Sequence, residues 1–279
     1  MHDTLQLVMT LLVRDEQDIL ADNIEFHRAR GVDHFIITDN KSVDETPAII
    51  KDYVKRGWAT AIHEPADDYD QSAWVTRMAR LAACELGADW IINSDADEFW
   101  MPWSGSLKDC YAAIPGDVGV VLSARHDFVI ATDLDGAWHH RMIYRKAVSL
   151  NHIGRPLPPK VAHRAGADVV VLQGNHSVTG LEGREVGSDN PQILHFPIRS
   201  KAQFENKIIN GGAAYQRNTK LPKTVARGWR RLYDELRRDG SLQPHIDSVS
   251  LTSDQIATGL NDEVLIEDRR LAEFFDRQC

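Results

Sequence analysis

The chain has 279 residues, of which 43% are hydrophobic and 26% charged, so it can bury one large core or two small ones. Its formal net charge of −9 and pI of about 5.7 argue against a general nucleic-acid-binding protein, which needs a basic surface. No apolar run reaches membrane-spanning length, and the N-terminus lacks the basic start of a signal peptide.

The three cysteines, Cys84, Cys110 and Cys279, are few, odd in number and not spaced as metal ligands. This usage favours a reducing compartment, because secreted domains pair their cysteines in disulfides. We therefore expect a cytoplasmic protein without a transmembrane segment.

The first hundred residues alternate between predicted strands and helices. Short apolar runs predict the strands, and periodic segments that stop at glycine predict the helices. The predicted strands are 7–12, 35–37, 58–63 and 90–94, and the predicted helices are 15–30, one opening at 44–47, and 72–86. Four βα units in series imply parallel strands joined by right-handed crossovers.

Polar segments follow the four strands at 10–15, 38–44, 64–72 and 95–98. Open parallel sheets bind ligands outside the carboxyl ends of their strands. The four loops are therefore expected to converge on one crevice.

Beyond residue 100 the pattern changes to strands without regular helices between them, which favours a mixed or antiparallel extension of the sheet. These strands are predicted at 119–130, 142–148, 169–172 and 193–196, a proline-rich loop over the crevice at 151–159, and helices at 200–216, 222–238 and 261–277. We divide the chain into a βα half (1–103), a mixed strand and loop half of the same domain (104–220) and a C-terminal helical extension (221–279).

Two aspartates, Asp95 and Asp97, directly follow the apolar strand 90–94. In an extended segment residues i and i+2 point the same way, so both carboxylates can face one cation. Mg²⁺ and Mn²⁺ prefer oxygen ligands and are commonly held by one or two carboxylates plus substrate phosphates. The position at a strand end predicts a metal-bridged diphosphate, although so short a motif also occurs by chance in acidic loops.

Other polar and aromatic residues lie near the predicted crevice. Asp39 and Asn40 can accept hydrogen bonds from a base or ribose, or can form an Asx-turn. No glycine-rich dinucleotide motif or P-loop is present, so phosphate must be held differently. The nearest cations are Arg14, Arg77, Lys160 and Arg164, and Trp74 can line a pocket or lie in the core.

A histidine from a distant strand would complete a metal site that two aspartates only begin, since imidazole is an acceptable ligand of Mn²⁺. His195 is the leading candidate because it lies at a predicted strand end, and His176 is its rival.

Three segments together resemble the GT-A glycosyltransferases, and within them the family 2-like proteins. They are 10–16, with Arg14-Asp15-Glu16; 38–46, with Asp39-Asn40; and 88–99, with Asp95-Ala96-Asp97. Their order and spacing agree with the family over about residues 4–103. Weaker similarity follows at 159–161, 174–176 and 195–200.

The resemblance implies a GT-A fold: a Rossmann-like nucleotide-binding half in a mixed sheet with helices on both faces, antiparallel additions and C-terminal helices. It implies transfer of a sugar, most often from a uridine diphosphate donor, to an acceptor hydroxyl. It implies a divalent metal, Mn²⁺ or Mg²⁺, at Asp95, Asp97 and the late histidine His195. The nucleotide-binding positions that it implies are Thr10, Leu12, Arg14, Asp39, Arg77, Asp95 and Ala96.

An inverting enzyme of this type also needs a carboxylate base near the acceptor hydroxyl. The candidates are Asp127, which we take as the leading one, and Glu182, Glu185 and Asp189. Two alternatives stay open: a nucleotide-binding protein of the same fold without turnover, and an aspartate phosphohydrolase, whose chemistry expects Thr at the position of Phe99.

Overall fold

A computed structural model describes residues 5–68, 70–150, 154–219, 221–222 and 225–278. The helices are α1 (Leu20–Ala29), α2 (Thr46–Lys55), α3 (Gln71–Glu85), α4 (Leu107–Ala112), α5 (Trp138–Arg141), α6 (Lys201–Arg217), α7 (Arg227–Asp239), α8 (Gln243–Val249), α9 (Ser253–Asn261) and α10 (Arg270–Asp276). The strands are β1 (Leu7–Val13), β2 (His34–Asp39), β3 (Ala59–His63), β4 (Trp90–Ser94), β5 (Glu98–Met101), β6 (Val118–Ala131), β7 (Tyr144–Lys146), β8 (Lys160–Arg164), β9 (Val170–Val171), β10 (Val178–Thr179), β11 (Arg184–His195), β12 (Ser250–Leu251) and β13 (Leu265–Glu267).

These elements form two compact units, each discontinuous in sequence. The first comprises the described residues of 1–66, 70–125 and 157–194, and the second those of 67–69, 126–156 and 195–279. The three-part division predicted from the sequence stays a prediction. None of the described helices has the length and apolarity needed to cross a membrane.

The centre of the first unit is the parallel sheet that the sequence predicts. β1 pairs in parallel with β2 on one side and with β4 on the other, and β2 pairs in parallel with β3. The order β4-β1-β2-β3 brings the carboxyl ends of these strands to one edge, as helical crossovers between parallel strands require.

Helix α3 covers the middle of this sheet. Val75, Met78 and Ala79 of the helix pack with Val8 of β1 and Ile91 of β4, and all five are at most 1% exposed. The apolar positions recur at helical spacing, which is why the segment forms a helix and why it buries this face.

Antiparallel strands extend the sheet beyond β4, which confirms the predicted mixed sheet. β8 pairs antiparallel with β4, and residues 120–123 of β6 pair antiparallel with β8. β5 pairs with β11, so the fourth βα unit is interrupted by a strand before its helix. The α/β fold class is therefore confirmed.

The second unit combines short strands with the C-terminal helices. Residues 128–129 of β6 pair antiparallel with β7, and β13 pairs antiparallel with β7. Its main apolar cluster joins α6 to α7 and α8 through Phe204, Ile208, Leu232, Leu236 and Ile246.

The predicted helix at 261–277 is wrong, because the chain there forms the end of α9, the strand β13 and the separate helix α10. Glu263 has a φ of +57°, which stops a right-handed helix at that residue. The predicted helix at 222–238 begins later, at Arg227, and residues 223–224 lie outside the described residues. Of the predicted loop at 151–159, residues 151–153 also lie outside them.

Candidate functional site

The loops that follow β1, β2 and β3 are tied together by hydrogen bonds. The N–H of Asp15 donates to Ser42 Oγ at 3.0 Å. Asn40, 2% exposed, donates its side-chain amide to the carbonyl oxygens of Glu64 and Ala66 at 3.0 and 2.7 Å. These bonds connect the three loops into a single polar edge at the carboxyl ends of the strands.

The acidic motif lies at the same edge, in a tight turn between β4 and β5. The N–H of Glu98 donates to the carbonyl oxygen of Asp95 at 3.1 Å, which closes the turn. The expectation that Asp95 and Asp97 lie in an extended segment is therefore wrong. The chain turns at these residues because it leaves β4 and enters β5, a strand that pairs with β11. The Asp95 side chain is 36% exposed, whereas Asp97 is only 1% exposed.

Two fully buried residues of α1 hold this turn from behind. Asn23 donates its amide to the carbonyl oxygens of Ala96 and Glu98, both at 2.9 Å. His27 Nε2 accepts the N–H of Trp100 at 3.0 Å, so its proton lies on Nδ1, which donates to the backbone oxygen of Asn23 at 2.8 Å. Burial lowers the pKa of His27 to about 3, which keeps the ring neutral.

A buried lysine holds the Asp95 carboxylate. Lys160 is 1% exposed, and its Nζ lies 2.5 Å from Asp95 Oδ2 and 3.0 Å from Glu98 Oε1. Burial alone lowers the pKa of Lys160, but the two carboxylates outweigh it and hold the pKa above its ordinary value. Arg125 adds a second cation 3.4 Å from Glu98 Oε1, so Glu98 is shared between two positive side chains.

His176 and Asn175 border the same carboxylate in the first unit. Asn175 Nδ2 donates to Asp95 Oδ1 at 3.3 Å, and His176 Nδ1 lies 2.8 Å from the carbonyl oxygen of Pro159. Burial, together with the charge of Lys160, lowers the pKa of His176 to about 4, so a neutral ring faces this network. A neutral imidazole is the form that binds metals.

The predicted nucleoside-binding residues are placed in different ways. Thr10 is 1% exposed within β1 and donates its hydroxyl to Asn93 Oδ1 at 2.9 Å, a contact between strands. Leu12 is partly buried and packs on the α3 cluster, and Arg14 is partly buried in the loop after β1. Their roles in binding stay predictions.

Asp39 and Arg77 each have a protein partner in the structure. Asp39 Oδ1 accepts the N–H of Ser42 at 3.0 Å. This is the Asx-type turn that the sequence offers as an alternative to ligand binding. Arg77 donates to Glu64 Oε2 at 3.1 Å from an exposed position on α3. Trp74 is 6% exposed, so it lies in the core. The nucleotide-binding roles of Asp39 and Arg77 stay predictions.

The second unit holds the other two predicted residues and brings them together. Asp127 Oδ1 lies 2.6 Å from His195 Nδ1, and both side chains are largely buried. Ser149 Oγ accepts the N–H of Asp127 at 2.7 Å, which fixes this part of β6. Through this pairing Asp127 can orient the imidazole ring of His195.

The metal ligands expected from the sequence are Asp95, Asp97 and His195. Within the described ranges, no group of three or more His, Cys, Asp or Glu side chains is close enough to hold a metal ion. Asp95 and Asp97 belong to the first unit and His195 to the second. The metal ligands therefore stay predictions.

Sequence reasoning did not identify Asn23 and His27 as residues that position the acidic turn. It placed His27 on the apolar stripe of its helix and left Asn23 out. The signal that could have found them is a polar pair at i and i+4 on a buried helix face, since buried polar groups must find partners. Those partners are more than 70 residues away in the chain.

The parallel sheet with its acidic turn at the carboxyl edge, extended by antiparallel strands, defines a mixed α/β protein whose polar loops meet where such sheets bind ligands. The chain belongs to glycosyltransferase family 92, whose sequence profile matches residues 8–225. It is thus a glycosyltransferase, which confirms the class of enzyme expected from the sequence. Among curated protein sequences, none matches the chain.

Three solved structures illustrate the similarity of fold. Residues 1–349 of S. aureus TarS, crystallised with UDP-GlcNAc, are 10% identical over 85% of this chain and 74% of that one, with a TM-score of 0.46. The mannosyltransferase PcManGT from Pyrobaculum calidifontis, in complex with GDP-Man and Mn²⁺, is 13% identical over 82% and 69%, with a TM-score of 0.41. Glucosyl-3-phosphoglycerate synthase from Mycobacterium tuberculosis, with Mg²⁺ and UDP, is 16% identical over 43% of each chain, with a TM-score of 0.32.

Proposed function

We propose that the protein transfers a sugar from a nucleoside diphosphate donor, a uridine diphosphate sugar in the first instance, to an acceptor hydroxyl in a metal-dependent reaction. The observation that carries this proposal is the acidic turn: Asp95 presents a partly exposed carboxylate at the carboxyl edge of the parallel sheet, where ligands bind. Membership of a glycosyltransferase family supports the reaction type.

The residues of the turn fit a hard divalent cation. Asp95 and Asp97 offer carboxylate oxygens, which are the ligands that Mg²⁺ and Mn²⁺ prefer. When bound, such an ion supplies positive charge where the leaving diphosphate develops negative charge. Lys160 already satisfies one oxygen of Asp95, which restrains the carboxylate in one orientation.

The cations beside the turn suit a phosphate-bearing ligand. Lys160 and Arg125 share Glu98, so the local charge of the network of Asp95, Asp97, Glu98, Lys160 and Arg125 is one negative unit, before any metal is bound. A divalent ion would make that charge positive and attract a diphosphate. Asn23 and His27 contribute by fixing the backbone of the turn, not by touching the donor.

The test is nucleotide binding with and without metal. Calorimetric titration of UDP in the presence of Mn²⁺ should show binding that disappears with a chelator, and the variants Asp95→Ala and Asp97→Ala should lose it. As a matched control, Asp52→Ala removes an exposed carboxylate of α2 and should leave the affinity unchanged. Equal UDP affinity in wild type with the chelator present would refute metal-dependent binding.

We further propose that Asp127 acts through His195. A carboxylate engaged 2.6 Å from an imidazole nitrogen is better placed to orient that ring than to take a proton from an acceptor itself. His195 Nε2 then serves either as a metal ligand or as the base, and Asp127 is a positioning residue in both cases.

Two variants separate these roles. If His195 is a metal ligand, His195→Gln weakens Mn²⁺ binding measured by calorimetry by at least the about 10- to 100-fold that the loss of an outer-shell partner costs. If it is the base, Mn²⁺ and UDP bind as in wild type while kcat falls. Asp127→Asn should show the same effect as His195→Gln, but to a smaller extent. Full activity of both variants would exclude the role of His195 as a metal ligand and its role as the base.

The phosphohydrolase alternative has no support in the site. Phe99 stands where that chemistry expects Thr, and its ring is fully buried against Phe26. Release of phosphate from a simple phosphomonoester, together with no release of UDP from a sugar donor, would favour hydrolysis over the proposed transfer.

A further inference from the structure

The second unit contains a cavity of about 550 Å³ whose lining residues all belong to that unit. The volume lies in the range of small-molecule sites. Half of its lining comes from residues 243–255, beyond the residues 8–225 that match the family. The cavity is therefore partly built from a segment that the family assignment does not describe.

Positive charge dominates the lining. Arg141, Arg199 and Lys201 line the cavity, against the one carboxylate of Asp247. Arg199 is only 1% exposed, and a buried charge is costly unless opposite charge or hydrogen bonds compensate it. By formal charge the lining residues carry two more positive than negative charges, and Glu205, 4.0 Å from Lys201 Nζ but outside the lining, offsets one of them.

Arg141 keeps its charge available. Its Nε donates to the carbonyl oxygen of Gly136 at 3.1 Å, and its NH2 group donates to the carbonyl oxygen of Arg199 at 2.8 Å. Both acceptors are neutral, and no carboxylate of the described residues forms an ion pair with Arg141. These bonds fix the guanidinium at the cavity wall without neutralising it.

The start of helix α6 adds to the positive potential. Ser200 is the N-cap and accepts the N–H of Gln203 at 3.1 Å, so the first turn of this 17-residue helix begins at the cavity wall. The N-terminal end of a helix carries partial positive charge, which favours an anion there. The helix end reinforces the side chains and does not stand alone.

The rest of the lining is rich in hydroxyl and amide groups. Thr132, Ser250, Gln243 and Gln255 each make a hydrogen bond within the protein and retain at least one further donor or acceptor position, while Ile130 and Ile246 supply small apolar surfaces. A compact ligand with several hydroxyl groups and an anionic end matches this combination better than an apolar ligand does.

We propose that this cavity binds a small polyhydroxylated anion, such as a sugar carrying a phosphoryl or carboxyl group. This site is separate from the donor role proposed for Asp95 and does not depend on it. The shared chemistry is a negative group held by Arg141 and Lys201 at the start of α6, with hydroxyl groups held by the polar wall.

Calorimetric titration of the whole protein tests the proposal with three probes of similar size: glucose 6-phosphate, glucuronate and neutral glucose. Binding of glucose 6-phosphate identifies a phosphoryl ligand, binding of glucuronate a carboxyl ligand, and neither should be matched by glucose. Because the attraction is ionic, the affinity should fall as salt is raised. Absence of binding by both anions, or equal binding of glucose, overturns the proposal.

Two variants that change the charge of the cavity lining in opposite directions exclude a merely structural effect. Lys201→Gln should weaken the binding of the anion about fivefold, and Asp247→Asn should strengthen it about threefold, since each removes one surface charge of opposite sign. Loss of folding cannot produce the gain. Lys51→Gln, at an exposed position on α2 in the first unit, is the matched control and should change nothing.

A last variant locates the ligand. Asp95→Asn alters the acidic turn of the first unit and should leave the affinity for the anion unchanged. If Asp95→Asn abolishes it while Lys201→Gln and Asp247→Asn have no effect, the anion binds at the acidic turn and the cavity proposal fails, whereas the donor proposal survives.

Discussion

The side-chain amide of Asn23 fixes the position of the acidic turn. Both of its hydrogen atoms are used, on the carbonyl oxygens of Ala96 and Glu98, and its oxygen accepts from His27 at 3.0 Å. The turn that carries Asp95 therefore depends on a residue that cannot touch a ligand, because Asn23 is 0% exposed.

Asn23→Ala should destabilise the protein and loosen the turn. Two buried carbonyl oxygens lose their donor, at about 1–3 kcal/mol each, so we expect a total loss of about 2–6 kcal/mol in the free energy of unfolding by urea denaturation. The affinity for Mn²⁺ and UDP should fall with it. Asn261→Ala, at an exposed position at the end of α9, should cost less than about 0.5 kcal/mol.

A variant as stable as wild type would mean that the turn holds its shape without Asn23. Asn23→Asp adds a sharper comparison, since it keeps the size of the side chain but turns a carboxylate toward the carbonyl oxygens. It should be at least as destabilising as Asn23→Ala at neutral pH.

At the residue scale the sequence predicted a carboxylate at the carboxyl edge of the sheet and missed the residues that support it. Asp95 is recognisable because an acidic residue after an apolar strand has a local signature. The turn is also contacted by Asn23, Lys160 and Arg125, which lie 27 to 75 residues away from their partners in the sequence. Such contacts form only in the tertiary structure. Lys160 was predicted only as a cation near the crevice, without its carboxylate partners.

At the element scale, local pattern was sufficient for the parallel sheet and insufficient for the short strands. β1 to β4 are apolar runs with clear boundaries, and their parallel order follows from the helices between them. β5, β8 and β13 have three to five residues each and exist because a neighbouring strand pairs with them. That pairing partner is not encoded in their own sequence.

Strand β8 also contains a buried histidine, His163, which makes stability depend on pH. It is 0% exposed, Nδ1 lies 2.8 Å from the carbonyl oxygen of Arg164, and Nε2 has no partner among the described residues. Burial lowers the pKa of His163 to about 4, against an ordinary value of 6.5. Between these values the unfolded chain binds a proton that the folded chain does not, so stability falls as pH falls from 6.5 to about 4.

His163→Phe should remove this part of the acid sensitivity. We expect the slope of unfolding free energy against pH to be smaller by about 1.4 kcal/mol per pH unit in that window, and to match wild type above pH 7, where the histidine is neutral in both states. Urea denaturation between pH 4.5 and 8 measures both slopes. If the curves of unfolding free energy against pH are parallel for wild type and His163→Phe at every pH, His163 titrates in the folded protein as it does in the unfolded chain.

At the scale of the whole molecule, the fold extends beyond the region that defines the family. The family match ends at residue 225, yet the main apolar cluster of the second unit joins α6, inside that region, to α7 and α8, outside it. β12 and β13 add pairings with β6 and β7 from the same C-terminal segment. The match in sequence therefore covers less of the chain than the second unit needs to fold.

Truncation after Ala226 should consequently unfold the second unit. It removes four buried partners of α6, Leu232, Leu236, Leu242 and Ile246, which contribute about 6–12 kcal/mol at about 1.5–3 kcal/mol each, comparable to the whole stability of a typical domain. Limited proteolysis should then cut within 195–217, a segment that should stay protected in the untruncated chain. Truncation after Asp276, which removes the exposed Arg277 and Gln278 and the last residue, is the control. A protected α6 in the shorter protein would show that its packing against α7 and α8 is dispensable.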